Sequence, residues 1–346
     1  MKPSGLKLLA VAAALAAVTT AHAQENVLNV YSARHYQTDE QMYSTFTKQT
    51  GIKINRIEAD DNALIERLKN EGKNSPADVI LMVDAARLWR AQIEGMFQPV
   101  KSRVLESRIP ANLRGKDEGK GSEWFGFSTR GRIIVYNTST VKPEDVATYE
   151  SLADPKNKGK VCTRSGSHPY MLSMIGSMIE RNGEKATEEW AKGMVTNFAR
   201  PPRGGDTDQI TGVATGECGV AVANTYYYAR LLRSTKPEEK ELMSKVGFVW
   251  PNQKTSGTHI NIAGAGVAKN APHRDAAVKF LEYLSSGEAQ GYFANGNNEW
   301  PVVSTEVAKN PVLESMGKFK AENVSIATVG KNQVPAQKIL DRVGYK

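Results

Sequence analysis

From residue 26 onward the chain alternates between short apolar strands and amphipathic helices, and this alternation restricts it to a narrow set of folds. Residues 27–31 (Val-Leu-Asn-Val-Tyr) read as a strand. A helix follows to Gln49, with Thr38 as cap and Gln41 completing a capping box, and Gly51 ends it. Residues 52–57 alternate apolar and polar as a half-buried strand does, 62–71 carry a helical pattern stopped by Gly72, and 77–82 are a buried strand. Asp84 caps the next helix, which runs to Glu94-Gly95. Strand and helix in strict turn predict a parallel sheet covered by helices on both faces. In such sheets ligands bind beyond the carboxyl ends of the strands. The loop after the first strand, Ser32-Ala33-Arg34-His35-Tyr36-Gln37, therefore stands where a ligand would.

The pattern is interrupted once and then restarts. Residues 124–137 form a long extended stretch, read as a crossing between two lobes. Beyond it come a strand at 159–163, a Met-rich helix at 171–181, a helix at 187–198, a further helix opened by Gly204–Gln209 and ended near Gly216, and a strand at 220–223. The methionines read as core, with a methionine metal site as the remote alternative. Residues 246–250 and 259–264 read as the return crossing, followed by helices at 274–285 and 287–293 and one tail helix at 336–343. The expected division is a first lobe of residues 24–128 and 253–303 and a second of 129–252 and 304–346.

Residues 1–23 stand apart. Lys2 and Lys7 precede an apolar run from Leu8 to Val18, and Ala21-His22-Ala23 is a small-x-small cleavage site. This is the pattern of a secretory signal peptide, so the mature chain is expected to begin at Gln24 in a bacterial periplasm. Its removal takes away two lysines and no acid, lowering the formal net charge from +8 to +6. No run of Lys and Arg marks a nucleic-acid surface. A soluble monomer is expected. Export makes a bridge between Cys162 and Cys218 chemically available, but sequence leaves open whether the two form a disulfide or two buried thiols. No CxxC spacing suggests a thiolate zinc site.

The most unusual stretch is Asn224-Thr225-Tyr226-Tyr227-Tyr228-Ala229-Arg230. It joins the strand at 220–223 to a helix, with Asn224 and Thr225 as candidate N-caps. Tyr226 and Tyr227 then sit at a helix N-terminus, where the dipole favours a phenolate. Tyr228 points elsewhere and is expected to pack. An isolated tyrosine pair is more often packing than chemistry. Two lobes joined by extended crossings, however, close on a ligand by a hinge. Three loops then meet across one cleft: His35 with Tyr36, Tyr170, and Tyr226 with Tyr227. Ionising a phenol at pH 7 costs about 4 kcal/mol, and four cost on the order of 16 kcal/mol. Only a strongly polarising cation offsets that, and ferric iron is the available one. Four phenolates around a trivalent ion leave one surplus negative charge, which Arg130, Arg34 or Arg230 could balance.

On these residues the chain resembles the periplasmic ferric-iron-binding proteins that feed an ABC importer, in particular the Tyr-rich cyanobacterial group. The resemblance runs over essentially the whole mature chain. It is carried by Tyr31-Ser32-Ala33-Arg34-His35-Tyr36, Ser75-Pro76-Ala77-Asp78-Val79, Phe127-Ser128-Thr129-Arg130, Gly204-Gly205-Asp206-Thr207-Asp208-Gln209 and Asn224-Thr225-Tyr226-Tyr227. It implies a type II periplasmic binding protein: α/β, two transferrin-like lobes and a hinge of two extended crossings. It implies Fe3+ held by Tyr226 and Tyr227, with Tyr170 and Tyr36, and with a synergistic anion such as carbonate as an accompanying group. His35 is a ligand in some members and a spectator in others. Arg130 stands where an arginine lies beside the metal, and Arg230 looks like a supporting group. The implied partners are ferric iron or ferric chelates and an inner-membrane permease. Ser167-His168-Pro169-Tyr170 departs from the family by an extra His and a Pro, which makes His168 an outside candidate. His259 and His273 read as structural or exposed.

Two other functions compete. The same fold could bind a small organic or anionic solute without metal, the tyrosines forming an aromatic wall. An enzyme would need a nucleophile or supported acid pair, yet HExxH, GxSxG and P-loop motifs are absent. Gly264-Ala265-Gly266 is only a GxG fragment. Asp60 with Asp61 and Asp206 with Asp208 read as helix caps and solvated loops. The expectation is a transport protein and no enzyme.

Overall fold

The computed structural model describes residues 26–34, 36–303 and 309–346; the signal peptide and His35 lie outside them. β1 (Val27–Ser32) runs parallel to β2 (Lys53–Glu58) on one side and to β3 (Val79–Met82) on the other. The intervening helices are α1 (Glu40–Thr50), α2 (Asp61–Glu71) and α3 (Ala85–Ile93). Asp60 caps α2 by accepting from the amides of Asn62 and Ala63, and Asp84 caps α3 by accepting from Ala86. The capping box expected at α1 does not form. A turn of 3₁₀ helix, Gln37–Asp39, precedes α1, and the Thr38 hydroxyl instead donates to Asn297.

The chain continues through β4 (Phe97–Gln98), α4 (Arg103–Arg108) and β5 (Phe125–Asn137). Then follow β6 (Val161–Cys162), α5 (Pro169–Thr196), α6 (Asp206–Thr215), β7 (Val220–Asn224), α7 (Thr225–Leu232) and α8 (Pro237–Met243). Next come β8 (Val246–Val249), β9 (Ile260–Ala268), α9 (Arg274–Leu284), α10 (Gly287–Asn297) and β10 (Trp300–Pro301). The tail forms α11 (Pro311–Ser315), α12 (Ile326–Lys331) and α13 (Gln333–Val343). The two helices read from sequence at 171–181 and 187–198 are one run, α5, broken at Gly183, whose φ of 79° and ψ of 163° are not helical.

The sheet is mixed rather than parallel. Strands follow the order β2-β1-β3-β9-β5-β7-β6, and β9 runs antiparallel to both β3 and β5. Helical crossovers make β1, β2 and β3 parallel. β5 leaves the first half and β9 returns to it from the other, so no helical crossover dictates their direction. β5 serves both halves: Phe125 to Gly131 pair with β9, while Arg132 to Tyr136 pair with β7 and Ile134 to Asn137 with β8. The close approach of β9 to the segment that enters β5 accounts for one glycine of the GxG fragment. A Cβ on Gly266 would lie 2.2 Å from the Glu123 carbonyl oxygen.

Apolar side chains gather accordingly. One core packs β1, β3, β9 and the first part of β5 against α1, α2, α3, α9 and α10. On the other side, alternation along β5 and β7 sends Ile134, Val220 and Val222 towards α5 and α13. It sends Ile133, Val135, Ala221 and Ala223 towards α6 and α7. Helices thus cover both faces, as the sequence predicts. The tail, expected with the second lobe, visits both: Leu313 packs beside α7's core, Ile326 in the first core, and Ile339 and Leu340 against α5. Cys162 and Cys218 are bridged, with Cα atoms 5.8 Å apart, tying β6 to the turn that leads into β7. Among the described residues no helix is long and apolar enough to cross a membrane.

Candidate metal centre

Tyr36 enters from the loop at the carboxyl end of β1. That loop is folded by Ser32, whose hydroxyl donates to the Arg34 carbonyl and accepts from the Arg34 amide, both at 3.0 Å. The Arg34 side chain is buried and held by Asp39 at 2.9 Å and Glu299 at 2.9 Å. Its guanidinium lies 5.0 Å from the centre of the Tyr36 ring. Arg34 therefore supports the Tyr36 loop, and its charge is already shared by two carboxylates.

Tyr170 stands in the first turn of α5, where Pro169 occupies a position that needs no amide hydrogen. His168 is the cap: its Nδ1 accepts from the Tyr170 amide at 3.2 Å and its ring meets the Tyr170 ring edge-on at 4.6 Å. Burial, helped by Arg164, pushes the His168 pKa down to about 3, so the imidazole stays neutral and acceptor-ready. The histidine that departs from the family pattern is thus a helix cap.

Tyr226 and Tyr227 open α7 at the carboxyl end of β7, with ring centres 4.3 Å apart. The side chains of Asn224 and Thr225 do not cap this helix, contrary to expectation. Asn224 accepts from Arg132 at 3.1 Å, and the Thr225 hydroxyl accepts from the Gly131 amide at 3.2 Å. These contacts fasten the helix mouth to β5. Tyr228 turns away and packs on Phe248 with ring centres 5.1 Å apart.

The three elements bring the phenols together. The Tyr170 and Tyr226 hydroxyls are 3.0 Å apart. Tyr36 and Tyr227 each oppose ionisation of Tyr170 and of Tyr226 electrostatically, and Tyr227 opposes that of Tyr36. Burial raises all three affected pKa values, Tyr226 and Tyr170 far above the phenol range and Tyr36 above it with Glu299 adding to the rise. Without a cation Tyr36, Tyr170 and Tyr226 stay protonated, and a nearby cation would reverse that balance. Among the described residues no group of three or more His, Cys, Asp and Glu side chains is placed to hold a metal.

Arg130 is buried beside the phenols, its guanidinium 5.6 Å from the Tyr170 ring centre. Nη2 donates to the Val83 carbonyl, while Nε and Nη1 have no partner. Burial works against its charge, but Tyr170, Glu299 and Tyr226 more than offset this and hold its pKa above the usual value. Arg230 lies at the surface, bonded to the Thr207 hydroxyl at 2.7 Å and 5.4 Å from the Tyr227 ring centre. Two supporting residues escaped the sequence reading. Asp206 is fully buried rather than solvated; it pairs with Arg132 at 2.6 Å and Arg164 at 3.1 Å, and accepts from the Asn224 amide at 2.7 Å. Arg164 in turn lies 5.0 Å from the Tyr170 ring centre, so Asp206 underpins both tyrosine elements. Asp206 lies in the Gly204–Gln209 stretch that carries the family resemblance, which was its only signal. His259, paired with buried Glu322, and His273, paired with Asp78, are structural.

Two α/β halves sharing a pair of through-going strands, with a phenol cluster where the loops of both meet, define a two-lobed solute-binding protein. The chain belongs to the bacterial extracellular solute-binding protein family, whose model matches residues 41–321. It is 49% identical over 323 residues to iron uptake protein A1 of Synechocystis sp., covering 93% of this chain and 88% of that one. A Trichodesmium IdiA/FutA structure in complex with iron and citrate is 52% identical, with a TM-score of 0.86 over 92% of this chain and all (100%) of that one. The ferric binding protein from Campylobacter jejuni is 40% identical at a TM-score of 0.86, covering 92% of this chain and 100% of that one. The type II periplasmic binding protein fold expected from sequence is the fold of these neighbours.

Proposed function

We propose that this chain captures ferric iron in the cleft through the phenolates of Tyr36, Tyr170, Tyr226 and Tyr227 and delivers it to an inner-membrane ABC permease. The observation that carries the reading is the convergence of phenols from three separate elements, two of their oxygens 3.0 Å apart, in a buried setting that disfavours their ionisation. Nothing but a strongly charged cation makes such a cluster favourable. The names of the relatives agree with it, and the metal-free solute reading has no comparable support. Arg130, with two buried N–H edges unpartnered, would receive the charge-balancing anion, a carbonate or a carboxylate of an iron chelate. Arg34 and Arg230 would brace Tyr36 and Tyr227. His35 is a candidate fifth ligand. The protein would be exported by its cleaved signal peptide, act in the periplasm as a monomer without catalysis, and comprise lobes of residues 24–128 with 253–303 and 129–252 with 304–346.

The test is a visible spectrum of the mature protein before and after ferric citrate. A phenolate-to-iron charge-transfer band saturating at one iron per chain is expected; a colourless protein that ignores ferric iron sinks the reading. Tyr227→Phe should weaken ferric binding strongly with its fold intact, and unchanged affinity would remove Tyr227 from the site. Protons compete for every phenolate, so affinity should fall as pH falls, up to tenfold per unit for each phenol ionised on binding.

A further inference from the structure

We infer that Asp84 and Ser173 form an inter-lobe latch that sets how long the ion is retained, an inference that rests on the ferric reading above. Asp84 belongs to the turn between β3 and α3, flanked by Met82 and Ala85 of the first core. Ser173 lies on α5, whose neighbouring Met171, Leu172 and Met174 belong to a core of the other half. The Ser173 hydroxyl donates to the Asp84 carboxylate, with oxygens 2.9 and 3.2 Å away. Both residues are fully buried. Asn261 at the start of β9 completes the contact: its amide donates to Asp84 at 2.6 Å and its carbonyl oxygen accepts from the Ala85 amide at 2.9 Å.

The placement connects this contact to the phenol cluster. Ser173 follows Tyr170 by three residues, so both lie on one face of α5. The adjoining Val83 carbonyl receives Arg130. One dipeptide of the first half, Val83-Asp84, therefore grips the helix that carries Tyr170 and the arginine beside it. When the halves separate, Ser173 leaves Asp84; the carboxylate is then hydrated and the serine hydroxyl can turn to its own helix. The bond thus stabilises the closed arrangement alone. An interaction present in only one of two states shifts their balance by its full strength. Asp84 and Ser173 are positioning residues and touch no ion.

The experiment measures iron release from the loaded mature protein into excess competing chelator by stopped-flow absorbance. Ser173→Ala should release iron about tenfold faster, equivalent to about 1.4 kcal/mol, with an unchanged band maximum and an unchanged melting temperature of the iron-free protein. The unmoved band distinguishes lost closure from lost ligation. Asp84→Ser keeps a helix-capping hydroxyl while withdrawing from Ser173; it should show the same acceleration and serves if Ser173→Ala does not fold. A wild-type charge-transfer band with wild-type release rates in both variants overturns the latch and leaves the ferric reading standing. A wild-type protein with no band overturns both.

Discussion

His168 and Asp206 show how a side chain's role is decided by what it touches. Both carry chemistry-bearing groups in sequence, and both are spent on supporting tyrosines. His168 is held neutral with a pKa of about 3, whereas the unfolded chain titrates it near 6.5. Between those values the unfolded state binds a proton that the folded state refuses, so this group's contribution to stability is lost as pH falls below about 6.5. His168→Asn keeps a capping acceptor and should lose that dependence: its melting temperature should drop less than wild type's between pH 7.5 and pH 4. His168→Ala removes the cap and should cost ~1 kcal/mol in denaturant unfolding at pH 7.5. The tyrosines were legible because three in succession at a strand-to-helix junction have few structural uses. Asp206, Arg164 and Glu299 were not, since a buried acid or arginine is spelled like an exposed one and only its partners, distant in sequence, distinguish it.

At the scale of elements, the strands and most helices follow from apolar periodicity, and Asp60, Asp84, Gly51 and Gly72 end or start helices where their chemistry requires. What failed was local inference drawn from residues with a tertiary partner. Thr38, Asn224 and Thr225 have capping side chains but bond across the fold to Asn297, Arg132 and Gly131. Strand direction was likewise out of reach for β9, whose neighbours lie far away in sequence. The cysteine bridge belongs to this scale as well. It closes a loop of 56 residues around α5 and α6, and in the chain-entropy picture that is worth about 4 kcal/mol. A Cys162→Ala/Cys218→Ala double variant should unfold at lower denaturant by roughly that amount, as followed by far-ultraviolet circular dichroism. Its ferric charge-transfer band should keep its position, because neither cysteine is a proposed ligand.

For the molecule as a whole, the sequence reading anticipated two crossings, and both exist as β5 and β9, joined where the Arg132 amide donates to the His259 carbonyl at 2.9 Å. The tail adds a third passage, because α12 packs on α3 of the first half and on α5 of the second. The fit is tight: a Cβ on Gly330 would lie 2.5 Å from the Trp89 ring. Gly330→Ala should therefore lower stability by roughly 1–3 kcal/mol, read as a lower calorimetric midpoint. In mechanical terms, two rigid plates joined at one point swivel in every direction, and joined at two separate points they turn only about the line through both. A third fastening resists sliding and skewing away from that line. The jaws would then return to the same alignment at each closing, so the phenols proposed as ligands from both sides would meet again without a search.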